Sequence, residues 1–564
     1  MNSLNRVLEQ NGLLNFNMIS GRELNKLVDS TKKTKYLCHL VRTMPFEYVE
    51  TPLKKISQIY ERDFNFTYTD YDPSLTEIND YDEQVSIFWI DWRLYREKMT
   101  PQQVVDWITT RLEEVKGSQP IILNNWPTSW DGTDCSFALA VSERGWYVEL
   151  NYLLMQLVEE NARFILCDLD YLVGFYGHTA YDDRNDRVSS YPFSNRFTLE
   201  LARYFGLFLL PAALQPKLKL VILDLDYTMY RGVLGEDGMK GIIFEENHLA
   251  LQRLLIKLKN NGILLAISSK NELSDVEQLI DEHPQFLLKQ DDFVFIEASW
   301  EEKANNIHSI IERVNIDPSA VVFIDDNAVE LSKVQSALPN LHLILADETG
   351  EETWHRLRHY PGIYSLTSDA TASKRRVDIV ANTKRVELQH QSNDRNAYLN
   401  SLQMKIDVYR NERSHIERIV DLSQKTNQFN TNVQRYDVTE VNHHFKDPSR
   451  DFYTVTLSDF LSESGIIGVF SIEIDASMLV IEEVLFSCRA LGREVENFSL
   501  LMLLQQYPHI KNVRIKYTKA SRNNPSREWL EKLHVLDEVI LKEALMTQLN
   551  EQLQGYNVEV TYHE

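Results

Sequence analysis

Asp224 and Asp226 stand two residues apart where the apolar run Leu220–Leu223 ends, and Tyr227 and Thr228 follow them. Residues i and i+2 of a strand share a side, so both carboxylates leave the sheet together at its carboxyl edge. Open α/β sheets bind ligands at that edge. Two crowded carboxylates call for a cation, and hard oxygen donors suit Mg2+. Three more polar groups follow in chain order: Ser268-Ser269-Lys270-Asn271 after Leu264–Ile267, Lys303 after Ala298-Ser299-Trp300, and Asp325-Asp326-Asn327 after Phe323-Ile324. Phosphoryl transfer needs a nucleophile, a proton donor and acceptor, clamps on the phosphate, and a metal that neutralises charge. The series supplies all of them. Asp224 is expected as nucleophile and metal ligand, and Asp226 as general acid/base and a further metal ligand. Ser268, Ser269, Lys270 and Lys303 are expected on the phosphoryl oxygens, and Asp325 and Asp326 as the remaining metal carboxylates.

A lone Asp-x-Asp proves little, and the chain carries its own control. Cys167-Asp168-Leu169-Asp170-Tyr171 also ends an apolar run, yet no threonine, Ser-Lys or Asp-Asp accompanies it. That copy reads as structural, because a motif needs its context.

The elements that must position these residues alternate between strand and helix, which implies parallel, layered α/β architecture. Apolar runs at 36–41, 64–69, 85–92, 121–123 and 164–166 predict one such domain over 35–215, after a helical lead-in at 1–34. A second runs over 216–350, with strands at 218–223, 263–267, 293–296 and 321–324 and helices near 273–282 and 301–314. A charged helical connector is expected over 351–400. An α+β domain over 401–564 follows, with strands near 404–409, 452–457, 466–474, 478–486 and 512–517.

The ordered series resembles the haloacid dehalogenase (HAD) superfamily. Asp224-Leu-Asp-Tyr-Thr-Met-Tyr-Arg-Gly-Val-Leu-Gly-Glu-Asp-Gly238, Ser-Lys-Asn271, Ser-Trp300-Glu-Glu-Lys303 and Phe-Ile-Asp-Asp-Asn327 are similar to its FkbH-like branch. The likeness continues at Lys425-Thr-Asn-Gln-Phe-Asn430 and Ser487-Cys-Arg-Ala-Leu-Gly-Arg493. Tyr227 stands where that branch usually has Asn, and Tyr230-Arg231 where it usually has Trp-Gly. The resemblance implies a glyceryl transferase/phosphatase of polyketide pathways. Such an enzyme takes a glyceryl unit from 1,3-bisphosphoglycerate, removes phosphate, and loads the unit as a thioester onto the phosphopantetheine of an acyl carrier protein. It also implies an SGNH-hydrolase-like, flavodoxin-type first domain, a HAD-type Rossmann-like second domain and Mg2+ as cofactor. The Gly-Asp-Ser of a working SGNH hydrolase is missing, because Tyr36–Val41 runs into Arg42-Thr43-Met44-Pro45. That domain therefore reads as a binding or scaffolding unit, with Asn124-Asn125-Trp126-Pro127 at a strand end facing a cleft.

In the last domain a strand meets Ser487-Cys488-Arg489-Ala490-Leu491-Gly492-Arg493 and then a helix, a layout that makes an anion-binding nook at the helix N-terminus. It resembles the pyrophosphate loop of GNAT acyltransferases, with Glu494 where a glycine is expected. Such a loop suits a phosphopantetheine arm better than free CoA. Arg489, Arg493 and the helix N-terminus would favour a Cys488 thiolate, and Asn427, Gln428 and Asn430 are expected to line the acyl site. A basic stretch at Lys511, Arg514, Lys516, Lys519, Arg522 and Arg527 offers either a dock for an acidic carrier or a solvated face.

Composition bounds the rest. The net charge of −24 over 564 residues argues against nucleic-acid binding, and no apolar run approaches the ~20 residues that cross a bilayer. Four cysteines make no disulfide scaffold, so a cytoplasmic setting is expected. Two rival readings differ in class: a stand-alone Mg-dependent phosphatase, and a non-catalytic scaffold with a relic fold. The complete set Asp224, Asp226, Lys303 and Asp325-Asp326 argues against the second.

Overall fold

The computed structural model describes residues 3–14, 21–26, 33–76, 84–117, 119–128, 142–214, 217–364, 394–426, 428–475, 478–487, 490–520, 523–536 and 538–564, with isolated positions between 381 and 392. Two compact units divide the chain, Met1–Ala370 and Thr371–Glu564.

The first unit holds two parallel sheets. One contains β1 (Thr34–Arg42), β2 (Arg62–Tyr68), β3 (Val85–Trp89), β4 (Ile121–Asn124) and β5 (Phe164–Cys167), in the order β2-β1-β3-β4-β5. The other contains β6 (Leu220–Leu223), β7 (Leu264–Ser269), β8 (Phe293–Ala298), β9 (Val321–Asp325) and β10 (His342–Leu345), in the order β10-β9-β6-β7-β8. Helices cover both faces of a parallel sheet, so its strands are continuously apolar. β3, β6, β7 and β9 are accordingly buried along their whole length. The interior side chains of both sheets join one contiguous apolar core.

In the second sheet β6 is central, flanked by β7 and β9 in register: Leu223 pairs with Ile267 on one side and Ile324 on the other. The strand that ends at Asp224 therefore lies between those that end at Ser269 and Asp325. The edge strand β10 is joined by the chain's first helix, Ser3–Leu14. Asn11 donates to the Leu343 carbonyl at 3.2 Å and accepts from the Leu345 N–H at 3.0 Å. Of the lead-in expected at 1–34, the helix Ser3–Leu14 is thus packed onto the second sheet.

The other unit is a seven-stranded mixed sheet of β11 (Lys405–Arg410), β12 (Arg450–Ser458), β13 (Glu463–Asp475), β14 (Met478–Phe486), β15 (Asn512–Ile515), β16 (Val539–Leu541) and β17 (Glu559–His563). Its order is β16-β15-β14-β13-β12-β11-β17. β11 to β14 are antiparallel neighbours, whereas β14 and β15 are parallel. That parallel ladder pairs only Met478–Ile481 with Asn512–Ile515. Beyond it Thr431 enters between the chains: its N–H donates to the Val484 carbonyl at 3.2 Å, and its own carbonyl accepts from Thr518 at 2.7 Å. Among the described residues no helix is long and apolar enough to cross a membrane.

Candidate active site

β6 stops at Leu223, so Asp224 is the first residue past the strand, with its N–H on the Ile324 carbonyl at 2.9 Å. The chain then turns sharply, and Tyr227 takes φ of 51°, a left-handed conformation that a non-glycine residue rarely adopts. An excursion follows and closes on itself where Arg231 and Ile243 exchange both backbone hydrogen bonds at 2.9 Å.

Lys303 opens the helix Lys303–Val314 and is buried, 4% exposed. Its ammonium lies 2.7 Å from Asp224 Oδ2 and 2.5 Å from Asp325 Oδ2. The other Asp325 oxygen accepts the Asn327 N–H at 2.8 Å. Burial alone would lower the Lys303 pKa, but the two carboxylates outweigh it and hold the ammonium well above its ordinary range. Asp325 is pushed up by burial and then by the charge of Asp224. Asp326 is raised to about 6 for the same two reasons.

Carboxylate oxygens of Asp224, Asp325 and Asp326 all lie within 4.8 Å of one another. Three carboxylates against one ammonium leave an excess of two negative charges, in hard oxygen donors. That set fits Mg2+. The expectation of Asp226 as a further side-chain ligand is corrected. Its Oδ1 accepts from the Tyr230 hydroxyl at 2.7 Å and the Leu234 N–H at 3.0 Å, and its Oδ2 accepts from Asn271 at 3.0 Å. The alternation rule fails here because the strand ends before Asp224, so the turn at Tyr227 aims Asp226 into the excursion.

Ser269 is buried at the end of β7, with its hydroxyl accepting from Asn271 at 3.1 Å. Ser268 Oγ and Thr228 Oγ1 are fully buried hydroxyls with no hydrogen-bond partner among the described residues. Lys270, expected on the phosphate, instead pairs with Glu330 at 3.1 Å. Tyr230 and Asn271 were not singled out from the sequence as site residues, yet between them they hold both oxygens of Asp226. The Tyr230-Arg231 departure was the signal at Tyr230; burial and Asp226 together keep that phenol well above its ordinary pKa.

The second Asp-Leu-Asp-Tyr is structural. Asp168 caps the helix Leu169–Tyr176 through the Tyr171 N–H and accepts from Asn125 at 2.7 Å, while Asp170 accepts from Thr128. Asn124 and Asn125, expected to face a cleft, are buried. Asn124 is spent on the Ile90 N–H and carbonyl at 2.7 and 2.9 Å.

In the other unit Cys488, Arg489 and Asn427 lie outside the described residues. Gly492 and Glu494 both take left-handed φ, 81° and 60°, and flank Arg493 before the helix Val495–Gln505. Arg493 lines a cavity of about 310 Å³ together with Arg385, Arg395, Tyr398 and Gly492, but its guanidinium is already paired. It is buried, 2.9 Å from Asp459, whose side chain is fully buried and also takes a bidentate grip from Arg385 at 2.8 and 2.9 Å. Asn430 is buried too, donating to the Thr426 carbonyl at 3.0 Å, whereas Gln428 is exposed. In the basic stretch, Lys516 is paired with Glu482 and Arg527 with Glu531.

Comparison with known proteins adds a shared fold. The N-terminal part of protein BF1531 from Bacteroides fragilis, containing a phosphatase domain complexed with Mg, matches with a TM-score of 0.51 and 24% identity, over 62% of this chain and 100% of that one. A structure with a GCN5-related glucosamine N-acetyltransferase region, from a fungal multidomain GH3 β-N-acetylglucosaminidase, aligns at 10% identity over 94% of this chain and 66% of its own. Its TM-score of 0.18 is too low to bear on the fold. No protein-family model and no curated protein matches the chain.

Proposed function

We propose that the Asp224 centre is a Mg2+-dependent phosphatase working through an aspartyl-phosphate. One observation carries the reading: Lys303 bridges Asp224 and Asp325 at the carboxyl edge of adjacent strands, with Asp326 completing a metal-sized carboxylate group. The Mg-bound phosphatase domain of the fold neighbour supports it. Asp224, Asp325 and Asp326 would hold the ion, which when bound neutralises charge on the transferring phosphoryl oxygens.

Asp224 attacks phosphorus, so an Asp224 oxygen–phosphorus bond forms as the ester oxygen–phosphorus bond breaks. Asp226 gives its proton to the departing alcohol. It then takes a proton from the water that attacks the aspartyl-phosphate, which releases inorganic phosphate and restores Asp224. Tyr230, Asn271 and the Leu234 N–H fix both oxygens of Asp226. Ser269 and Lys303 supply donors to the phosphoryl oxygens.

Taken with its sequence resemblance, the chain is a glyceryl transferase/phosphatase. The glyceryl donor is 1,3-bisphosphoglycerate, Cys488 carries the glyceryl group as a thioester, and an acyl carrier protein collects it in the cytoplasm. The HAD-type region 216–350 is the dephosphorylating half and the GNAT-like region 401–564 the acyl half, with the SGNH-like region 35–215 a scaffold. Intact-protein mass spectrometry with 1,3-bisphosphoglycerate and a carrier protein tests this. Wild type should yield glyceryl on the carrier, and Cys488→Ala should not; undiminished loading by Cys488→Ala refutes the cysteine role. A stand-alone phosphatase is the second reading, favoured by the commitment of Arg493 and Asn430 to internal partners. Phosphate release with no carrier loading by wild type would select it.

A further inference from the structure

Trp300 is 72% exposed, yet it is not loose: its indole N–H donates to Glu272 Oε1 at 2.7 Å. Each follows a residue bonded to the end of β7. Ser299, just before Trp300, donates its N–H to the Ser269 carbonyl at 3.1 Å, and Asn306 fixes the Ser299 hydroxyl at 3.1 Å. Asn271, just before Glu272, holds both Asp226 and the Ser269 hydroxyl. The Trp300–Glu272 clasp therefore spans the loops after β7 and β8, next to the groups that grip phosphate and protonate the leaving group.

Its chemistry is specific. An indole offers a flat apolar face for C–H surface, and a carboxylate accepts hydrogen bonds from hydroxyls. The indole donor is neutral and no cation pairs with Glu272 among the described residues, so the clasp keeps its negative charge. Glu301 and Glu302 follow, both exposed. A leaving group with its own carboxylate is repelled here, whereas an uncharged polyol is not.

We propose that Trp300 and Glu272 form the leaving-group subsite, which selects phosphate monoesters of uncharged, hydroxylated carbon chains over those of hydroxy acids. This rests on the phosphatase reading of Asp224. A thioester-bound glyceryl unit satisfies the rule, since its carboxyl carbon carries no charge.

The test uses the full-length protein with Mg2+ and measures phosphate release from glycerol 3-phosphate, 3-phosphoglycerate and methyl phosphate. The first two differ only in a hydroxymethyl against a carboxylate; the third has no chain for the clasp to hold. Wild type should favour glycerol 3-phosphate over 3-phosphoglycerate in kcat/KM by about tenfold, the scale of one screened charge contact. Glu272→Gln keeps an acceptor for the indole but removes the charge, and should bring that ratio towards one. Trp300→Ala should raise KM for glycerol 3-phosphate about tenfold and cost methyl phosphate much less. A wild-type ratio that Glu272→Gln leaves unchanged, or a Trp300→Ala loss equally deep on methyl phosphate, overturns the subsite. Release from none of the three by wild type overturns the phosphatase reading, and the subsite with it.

Discussion

Asp224→Asn removes one carboxylate from a site that holds three against a single ammonium, and the structure sets what that change does to stability and to rate. At an effective dielectric of about 20, two unit charges 4.8 Å apart repel by roughly 3.5 kcal/mol. Asp224 faces two such neighbours, so neutralising it relieves about 7 kcal/mol or more. The attraction lost is that of Lys303, 2.7 Å away, roughly 6 kcal/mol on the same scale. These terms nearly cancel, and what remains is relief from burying a charged carboxylate, which favours the variant. Lys303 keeps Asp325 as its partner at 2.5 Å. Without metal, the variant should melt at or above the wild-type temperature, and Mg2+ should stabilise it less than wild type. Its phosphate release should fall by about 10⁴-fold or more, some 5.4 kcal/mol of transition-state stabilisation. Differential scanning fluorimetry with and without Mg2+, beside a phosphate-release assay, reads both quantities. A variant that folds yet keeps a substantial rate refutes Asp224 as nucleophile. One that melts far lower without metal refutes the charge argument.

Magnesium affinity should weaken as the pH falls towards and below 6, because Asp326 is raised to about 6 and Asp325 is raised by the same burial and the same neighbour. Protonated carboxyls are not ligands, so calorimetry should detect proton release on binding; a pH-independent affinity contradicts it. Without metal the sign reverses: groups raised above their unfolded values bind protons more in the native state, so they add stability as the pH drops from about 6 towards 4. Tyr230→Phe deletes the 2.7 Å donor to Asp226. A hydrogen bond to a charged group is worth roughly 1.5–3 kcal/mol, so kcat should fall at least about tenfold with KM little moved; an unchanged kcat removes Tyr230 from the site. Asp459→Ala leaves two buried guanidiniums, of Arg385 and Arg493, without their shared carboxylate. Unfolding of the Thr371–Glu564 unit should ease by about 3–5 kcal/mol, read by denaturant titration while phosphate release persists.

Much of the second sheet was legible because its strands are buried on both faces and so read as unbroken apolar runs. Asp224, Ser269, Lys303 and Asp325 follow from where those runs stop, since strand ends in register bring distant residues to one edge. β10 was not predicted: His342-Leu-Ile-Leu is four residues long, follows Pro339-Asn340, and forms an edge that depends on Asn11. β16 and β17 are short strands with no buried position, so their periodicity is weak. Asp226 was legible as a residue but not in its orientation, because a period-2 rule applies only inside a strand. Lys270 and Arg493 have the charge that anion binding wants, and only tertiary structure brings Glu330 and Asp459 up to occupy them.

The bond from Asn11 to β10 also bears on how the chain is made. Asn11 and Leu343 are 332 residues apart. The helix that joins the edge strand is made before the strand it caps, which follows the whole of the first sheet and most of the second. Domains usually fold in turn during synthesis, but this sheet closes its edge only when its last strand meets the chain's first helix. The same helix also bonds the first-sheet region, where Arg6 and Gln10 donate to the Ile59 carbonyl at 3.0 Å, so one helix ties the two sheets of Met1–Ala370 together.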